Sequence, residues 1–178
     1  MYKNIIEKEK EVFEKLKDKF NYTNVLQAPK IEKIVVSTGV GSITDKKKLE
    51  LIGEKLAQIT GQKPSTQLAK KSIAQFKVRE GQLSGYRVTL RGKIARNFLE
   101  KLVHIALPRT RDFRGLSTGG VDDMGNYSFG IKENTIFPET SDEELKNVFG
   151  MSITIVTSSK AKEETIAFLE HVGLPFKK

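Results

Sequence analysis

Cysteine is absent from the 178 residues of this chain, and histidine occurs only twice. Without cysteine, disulfide bonds, thiolate zinc sites and a cysteine nucleophile are all excluded. The first ten residues contain no apolar core of signal-peptide length, and no window of the sequence approaches a membrane span. The apolar aromatic wedge of an interfacial membrane helix is also missing from the most basic region of the chain. We therefore expect a cytoplasmic protein that does not bind membranes.

Residues that could support catalysis are few and poorly placed. His104 lies inside a predicted helix and His171 near the end of another, where a structural or surface role is expected. Asp122–Asp123 stands in a glycine-rich loop, which is more typical of a turn than of a metal site. The turn Gly39–Ser42 lacks the third glycine of a dinucleotide loop and the Gly-Lys-Ser/Thr of a P-loop, so its backbone N–H groups suit an RNA phosphate better. We predict no enzymatic activity, no cofactor, no metal and no small-molecule substrate.

Positive charge is concentrated in residues 62–96, the basic stretch, which contains nine Lys and Arg against the single acid Glu80. This stretch accounts for +8 of the formal net charge of +9. Its cations are Lys63, Lys70, Lys71, Lys77, Arg79, Arg87, Arg91, Lys93 and Arg96. A field confined to one region is what a polyphosphate partner selects. Nucleic-acid binding is therefore favoured over the alternative, a solubilising surface.

The length and composition indicate a single domain, residues 1–178, with an N-terminal segment of residues 1–85 and a C-terminal segment of residues 86–178. The N-terminal segment has the pattern of a helix, a strand, a helix and an extended basic loop, and the C-terminal segment holds the remaining strands and helices. Apolar periodicity and capping residues predict four helices. The first covers residues 3–20, and the second is capped by Thr44 or Asp45 and stopped by Gly61. The third lies between Gly92 and Pro108 and the fourth between Ser159 and Gly173; the residues expected to be buried in the third are Ile94, Phe98, Leu102 and Ile105.

Four strands are predicted, and they share one property. They cover Ile31–Ser37, Tyr86–Arg91, Asn126–Lys132 and Met151–Thr157. Each has one apolar face, while the other face is built from Ser, Thr, Gly, Lys and Arg. This pattern predicts an α+β fold: an antiparallel sheet with helices packed on one face and an open polar, basic face. The alternative, an ordinary solvated face, would include acids, and the last three strands have none there.

Between Gly61 and Gly85 the sequence has no helical stripe and is expected to form a long basic loop or hairpin extension. Connections of this length in a compact domain are usually functional or mobile. Phe76, Val78 and Leu83 would contact sugars or bases there, or pack on one another as the extension's own apolar cluster. The sequence leaves these two alternatives equally open.

The string Pro108-Arg-Thr-Arg-Asp-Phe-Arg-Gly-Leu116 is the most specific local motif. Together with other strings in the same order it closely resembles bacterial large-subunit ribosomal protein five, a family that binds 5S rRNA. The other matching stretches are 24–34, 39–41, 59–64, 69–72, 88–92, 125–130, 136–139 and 175–178. The resemblance covers essentially the whole chain and implies a structural constituent of the large ribosomal subunit. The alternatives are a general RNA chaperone and a nucleic-acid-processing enzyme.

The resemblance also implies three sets of contact residues and a position in the central protuberance, beside 5S rRNA and large-subunit rRNA. The rRNA-binding set is Ser37, Gln62, Lys63, Lys70, Lys71, Arg87, Thr89 and Arg91. The 74–85 tip is expected at the elbow of P-site tRNA, with contacts from Phe76, Lys77, Val78, Arg79 and Gln82. An intersubunit bridge to small-subunit protein thirteen is expected from Arg109, Arg111, Arg114, Glu139, Asp142, Glu143 and Glu144.

The chain departs from the family pattern in three ways, and one loop has two interpretations. Ser37-Thr38 stands where the family usually has Asn-Met, Met124 replaces a usual basic residue, and the tip sequence 81–85 lacks a common proline. In the 108–116 loop, Asp112 would pair internally with the arginines and order the loop. Alternatively, because the loop carries three arginines and one acid, its arginines remain available to a partner.

Overall fold

The computed structural model describes residues 4–43, 45–141 and 148–177. The helices are α1 (Ile5–Phe20), α2 (Lys46–Thr60), α3 (Gly92–Lys101) and α4 (Lys162–Val172). The strands are β1 (Ile31–Gly39), β2 (Ser65–Leu68), β3 (Leu83–Arg91), β4 (Tyr127–Ile131) and β5 (Met151–Thr157). They form one antiparallel sheet in the order β2-β3-β1-β5-β4, which confirms the predicted α+β class. In the described residues, every helix is too short or too polar to cross a bilayer.

Both ends of α2 and the C-terminal end of α4 lie where local sequence signals placed them, whereas α4 begins after Ala161 rather than at the predicted Ser159 cap. The Asp45 carboxylate accepts a hydrogen bond from the Lys47 N–H at 3.0 Å and so caps the first turn of α2. Gly61 ends α2 with φ of 70°, and Gly173 ends α4 with φ of 116°. Both values lie in the left-handed region, which glycine adopts without steric cost. These boundaries therefore follow from a few local residues.

The alternation of buried and exposed side chains along β3 also agrees with the prediction. Tyr86, Val88 and Leu90 are buried, whereas Arg87 is exposed and Thr89 half-buried on the opposite side. On β4 and β5 the buried residues include Tyr127, Ile131, Met151, Ile153 and Ile155, and the small residues between them are exposed or half-buried. Each of these three strands thus presents one apolar and one polar face, as side-chain alternation requires.

The third helix differs from the prediction on two residues. Ile94 and Ile105, expected in the core, are 48% and 44% exposed. Phe98 and Leu102 are buried as predicted, and Ala95 and Leu99 complete the buried side of α3. After α3 the backbone continues as a π-helical turn, Leu102–Ala106. The buried residues nevertheless keep the three- and four-residue spacing of one helix face, and Ile94 and Ile105 lie beside that face rather than at its centre.

Contacts divide the chain into two compact units. The first comprises Met1–Ile34, Arg91–Phe129 and Thr154–Lys178. Within it α1 packs against α3 and α4. The Lys8 ammonium donates to the Val172 carbonyl at 3.0 Å, and Arg96 forms an ion pair with Glu9.

The second unit comprises Val35–Leu90 and Gly130–Ile153. Within it the hydroxyl of Tyr86 on β3 donates to the Leu49 carbonyl on α2 at 3.0 Å. Burial raises the pKa of Tyr86, with a smaller contribution from the Glu50 carboxylate. The predicted boundary between residues 85 and 86 falls inside this second unit, and the single-domain organisation stays a prediction.

Close backbone approach explains the glycine at position 85 of β3. A Cβ added to Gly85 would lie 2.6 Å from the carbonyl oxygen of Thr38 on β1. That carbonyl cannot retreat freely, because the Thr38 hydroxyl donates to the Gly150 carbonyl at 2.7 Å and its side chain is buried. A glycine inside a strand commonly marks such an approach.

We predict that Gly85→Ala lowers the free energy of unfolding by about 2 kcal/mol, the usual cost of forcing an atom into filled space. Gly130→Ala is the matched control, since Gly130 lies in β4 and has no atom within 4 Å of an added Cβ. The control should change stability by less than about 0.5 kcal/mol. Urea denaturation followed by circular dichroism measures both. Equal stability of the two variants would contradict the close approach.

Candidate nucleic-acid interface

Residues 65–85, the basic arm, leave the sheet as a hairpin. Strand β2 pairs with β3 so that Ser65 faces Arg87 and Gln67 faces Gly85. Beyond β2, the Ala69 N–H donates to the Gln82 carbonyl at 2.8 Å, and the Gly81 N–H donates to the Ala69 carbonyl at 2.9 Å. The backbone of the arm is therefore held by main-chain hydrogen bonds that do not depend on its side chains.

The tip of the arm contains a second, smaller hairpin. Ile73 and Val78 exchange two backbone hydrogen bonds of 3.0 and 3.2 Å. Lys77 closes this turn with φ of 53°, a left-handed conformation uncommon for residues with a side chain. The Arg79 N–H donates to the Gln82 side-chain oxygen at 3.1 Å, which links the Gln82 side chain to the backbone that follows the tip hairpin.

Cations cover the arm and its base. Lys63, Lys70, Lys71, Lys77, Arg79 and Arg87 are all exposed. None of the six has an ion-pair partner within residues 4–43, 45–141 and 148–177. Of the other cations in the basic stretch, Arg91 and Lys93 are exposed at the end of β3 and the start of α3, and Arg96 pairs with Glu9. The positive charge of the arm is therefore displayed to solvent without internal compensation.

The apolar residues of the arm do not behave alike. Phe76 is 69% exposed and Ile73 46% exposed, whereas Val78 and Leu83 are half-buried. Phe76 therefore does not join an apolar cluster within the arm. An exposed aromatic ring beside cations can stack on a base or pack on a sugar.

At the base of the arm, polar groups lie on the open side of the second unit. Ser37 on β1 and Thr89 on β3 are half-buried and Gln62 is exposed. The Gln62 side-chain nitrogen is 3.4 Å from the Thr89 carbonyl oxygen, to which it donates. Thr38 points the other way and is buried, so the Ser-Thr pair supplies one hydroxyl to the open side and one to the core.

The open side of β4 and β5 in the first unit is also small and polar, but its hydroxyls are partly engaged. Ser128 and Thr154 bond to each other at 2.9 Å between their oxygens. One of the two hydroxyls is therefore a donor within the protein. This pair offers fewer donors to a phosphate than its composition alone suggests.

The 108–116 loop exposes all three of its arginines, Arg109, Arg111 and Arg114. Across the described region of the chain, none of them pairs with Asp112 or with another acid. The backbone of Asp112 has φ of 51°, which lies in the left-handed region. The loop is attached to the C-terminal residues, because the Leu116 N–H donates to the Pro175 carbonyl at 2.8 Å. The structure therefore favours arginines available to a partner over internal pairing.

The acidic residues of the expected bridge are only partly visible. Glu139 is exposed and lies in the one-turn 3-10 helix Pro138–Thr140. The other three, Asp142, Glu143 and Glu144, lie outside the described residues.

Residues considered for catalysis have structural partners. The Asp122 carboxylate accepts hydrogen bonds from the Asn126 side chain and from the N–H groups of Asn126 and Met124. These bonds, those from Asn126 foremost, hold the pKa of Asp122 below its usual value and identify the loop as a turn. A ring nitrogen of His171 lies 3.1 Å from the Lys8 carbonyl oxygen and links α4 to α1. In the ranges that the structure describes, His, Asp and Glu nowhere cluster closely enough to hold a metal ion.

Strand β2 was missed by the sequence reasoning. Its residues Ser65–Leu68 are mostly exposed and polar, so they lack the apolar alternation that indicates a half-buried strand. The one sequence feature that could have indicated this strand was the position of Ser-Thr-Gln between Pro64 and the basic residues that follow. Ser65 and Thr66 place two exposed hydroxyls at the base of the arm, beside the predicted contact residues.

Comparison with known proteins gives matches along nearly the whole chain. A family model described as "Ribosomal protein L5" matches residues 24–79. A second model, which describes the C-terminus of the same ribosomal family, matches residues 84–176.

Three curated proteins, each named "Large ribosomal subunit protein uL5", are similar over most of their length. The chain is 50% identical to that of Geobacter sulfurreducens over 169 residues, which is 94% of each protein. It is 47% identical to that of Halothermothrix orenii over 167 residues, 93% of each. It is 50% identical to that of Mycoplasma mycoides over 159 residues, 89% of this chain and 88% of the other.

Proposed function

We propose that this chain, which belongs to the ribosomal protein L5 family, binds 5S rRNA through its basic arm and the open side of its sheet. As a member of that family it is a structural constituent of the large ribosomal subunit, located with the ribosome in the cytoplasm. It is not an enzyme, so the nucleic-acid-processing alternative is excluded.

The observation that supports RNA binding most strongly is the uncompensated charge of the arm. Six exposed cations on the arm and its base lack an ion-pair partner among the described residues. Each cation that contacts an RNA phosphate releases condensed counterions, which makes binding favourable and salt-dependent. Affinity at physiological salt then comes mainly from these contacts.

Shape recognition is assigned to the open side at the base of the arm. Ser37 and Thr89 are small and Gln62 and Arg87 reach outward, so a sugar–phosphate backbone can lie close to the strands. Hydroxyl, amide and guanidinium groups bond to phosphates and to the 2′-OH of ribose. Ser65 and Thr66 of β2 extend the same surface. Binding by backbone and shape fits a folded RNA better than an unstructured strand.

Lys70→Ala with Lys71→Ala should weaken 5S rRNA binding and flatten its salt dependence. We expect the slope of log K against log salt to fall by roughly 0.7–0.9 for each phosphate that the variant no longer neutralises. The control is Lys160→Ala with Lys162→Ala, which removes the same charge from exposed positions at the start of α4. Filter binding across a salt series measures both. A slope unchanged from the wild type in the first variant would remove Lys70 and Lys71 from the interface.

The tip of the arm is assigned to P-site tRNA. Lys77 and Arg79 are exposed around the tip hairpin, and Phe76 places an aromatic ring beside them. Val78 and Gln82, also expected at this contact, are half-buried, and Gln82 supports the Arg79 backbone. Their role is therefore to hold the tip in shape.

Lys77→Ala with Arg79→Ala should leave 5S rRNA binding within about twofold of the wild type, because the tip lies beyond the residues assigned to rRNA. On assembled ribosomes the same variant should release P-site tRNA faster, by about fivefold if it removes two phosphate interactions of roughly 0.5 kcal/mol each. Toeprinting and tRNA dissociation kinetics test this second expectation. Loss of isolated 5S rRNA binding in this variant would contradict the division between arm and tip.

An intersubunit bridge to small-subunit protein thirteen is assigned to the acidic run and the arginine loop. The acidic residues are Glu139, Asp142, Glu143 and Glu144, and the arginines are Arg109, Arg111 and Arg114. A concentrated run of acids suits a basic protein partner, while exposed arginines suit acidic groups or phosphates.

Asp142→Lys with Glu143→Lys should weaken association of the ribosomal subunits by about fivefold, since charge pairs at a solvated interface contribute about 0.5 kcal/mol each. Glu163→Lys with Glu170→Lys is the matched control on exposed positions of α4. Light scattering during magnesium titration reports association. If both variants associate like the wild type, the acidic run does not belong to the bridge.

A further inference from the structure

The first unit contains an open groove of about 710 Å³ that the proposed RNA contacts do not use. It lies among α1, the segment that leads into β1, and the start of α3. Its floor is apolar and consists of Ile6, Phe13, Val25, Ala28 and Pro29. Val25 is 58% exposed, and its neighbour Leu26 is 77% exposed. Exposed aliphatic side chains beside an apolar groove mark a surface that gains free energy when it is covered.

The rim of the groove is positively charged. Lys10, Lys30 and Lys93 line it and are exposed. Within the described ranges of the chain, none of these three ammonium groups has an ion-pair partner. The groove therefore offers an apolar floor between uncompensated cations.

Glu9, which also lines the groove, does not neutralise the positive charge of the three rim lysines. Glu9 lines the groove together with Arg96, and the two form an ion pair at 2.5 Å. The other carboxylate oxygen of Glu9 accepts a hydrogen bond from the Ile31 N–H at 3.3 Å. Because Glu9 is neutralised and bonded on both oxygens, the three lysines set the sign of the potential that a ligand meets.

We propose that this groove binds an acidic, apolar segment of a partner protein. Apolar side chains of such a segment would cover Val25 and Phe13, and flanking Asp or Glu residues would pair with Lys10 and Lys30. RNA fits less well, because its phosphates gain nothing from an apolar floor and its bases are better served by exposed aromatic rings than by Ile, Val, Ala and Pro. The site is separate from the basic arm and extends the role of the chain to protein docking.

The absence of cysteine allows a direct test, since Val25→Cys introduces a single thiol for an environment-sensitive dye. The probe is a synthetic peptide of about 14 residues with Leu or Phe at positions i, i+3, i+4 and i+7 and Glu elsewhere. Added to the labelled full-length chain, it should shift the dye emission in a saturable way. Met124→Cys is the control, because Met124 is 74% exposed and lies away from the groove. No shift at Val25 or an equal shift at Met124 would overturn the proposal.

Charge and apolar contributions are separated by two further comparisons. Lys10→Glu with Lys30→Glu should weaken peptide binding about tenfold, and Lys10→Gln with Lys30→Gln should give an intermediate loss. Lys160→Glu with Lys162→Glu changes the net charge equally and should leave binding within about twofold.

A peptide whose apolar residues are replaced by Ser should bind at least about tenfold more weakly. Equal binding of that peptide, or a larger response of the Val25 dye to a short single-stranded RNA, would contradict protein docking.

Discussion

Mutual repulsion among the cations of residues 62–96 is the constraint that this region of the fold must satisfy, because the stretch contains nine Lys and Arg and one acid, and only Arg96 of the nine pairs with an acid among the described residues. The hairpin satisfies it by taking its order from backbone hydrogen bonds, such as those of Ala69 and Gly81, rather than from side-chain pairing. The other eight cations are exposed to water and salt, which screen them. The remaining repulsion is relieved when a polyanion binds, so the free chain is poised for an anionic partner.

The core determines where that charge is displayed. Burial of Tyr86, Val88 and Leu90 on one side of β3 leaves Arg87 and Thr89 on the other. The close approach of β3 and β1 at Gly85 fixes the point where the arm leaves the sheet. Apolar alternation therefore orients the polar residues, and the proposed contact surface depends on core residues that lie on the opposite face of the strand.

Much of this could be predicted from the sequence because the signals were local or periodic. Asp45 and Gly61 bound α2 through a cap and a left-handed turn, and β3 follows from strict alternation. The strand Ser65–Leu68 could not be found that way, since its order comes from pairing with β3 across the arm. Ile94 and Ile105 were misplaced because they lie beside the buried face of the third helix, and the sequence pattern does not distinguish the centre of an apolar face from its margin. The groove that Val25 lines joins residues from separate segments, so it becomes visible only in three dimensions.

Selective binding of 5S rRNA is tested most directly by competition. Labelled 5S rRNA, tRNA and an unrelated RNA of similar length would compete at equal concentration for the full-length chain at two salt concentrations. We expect the preference for 5S rRNA to persist at the higher salt, because shape contacts to strand residues such as Thr89 do not release counterions. Equal binding of all three RNAs that disappears as salt rises would mean that the basic arm acts alone. The chain would then behave as a general RNA chaperone.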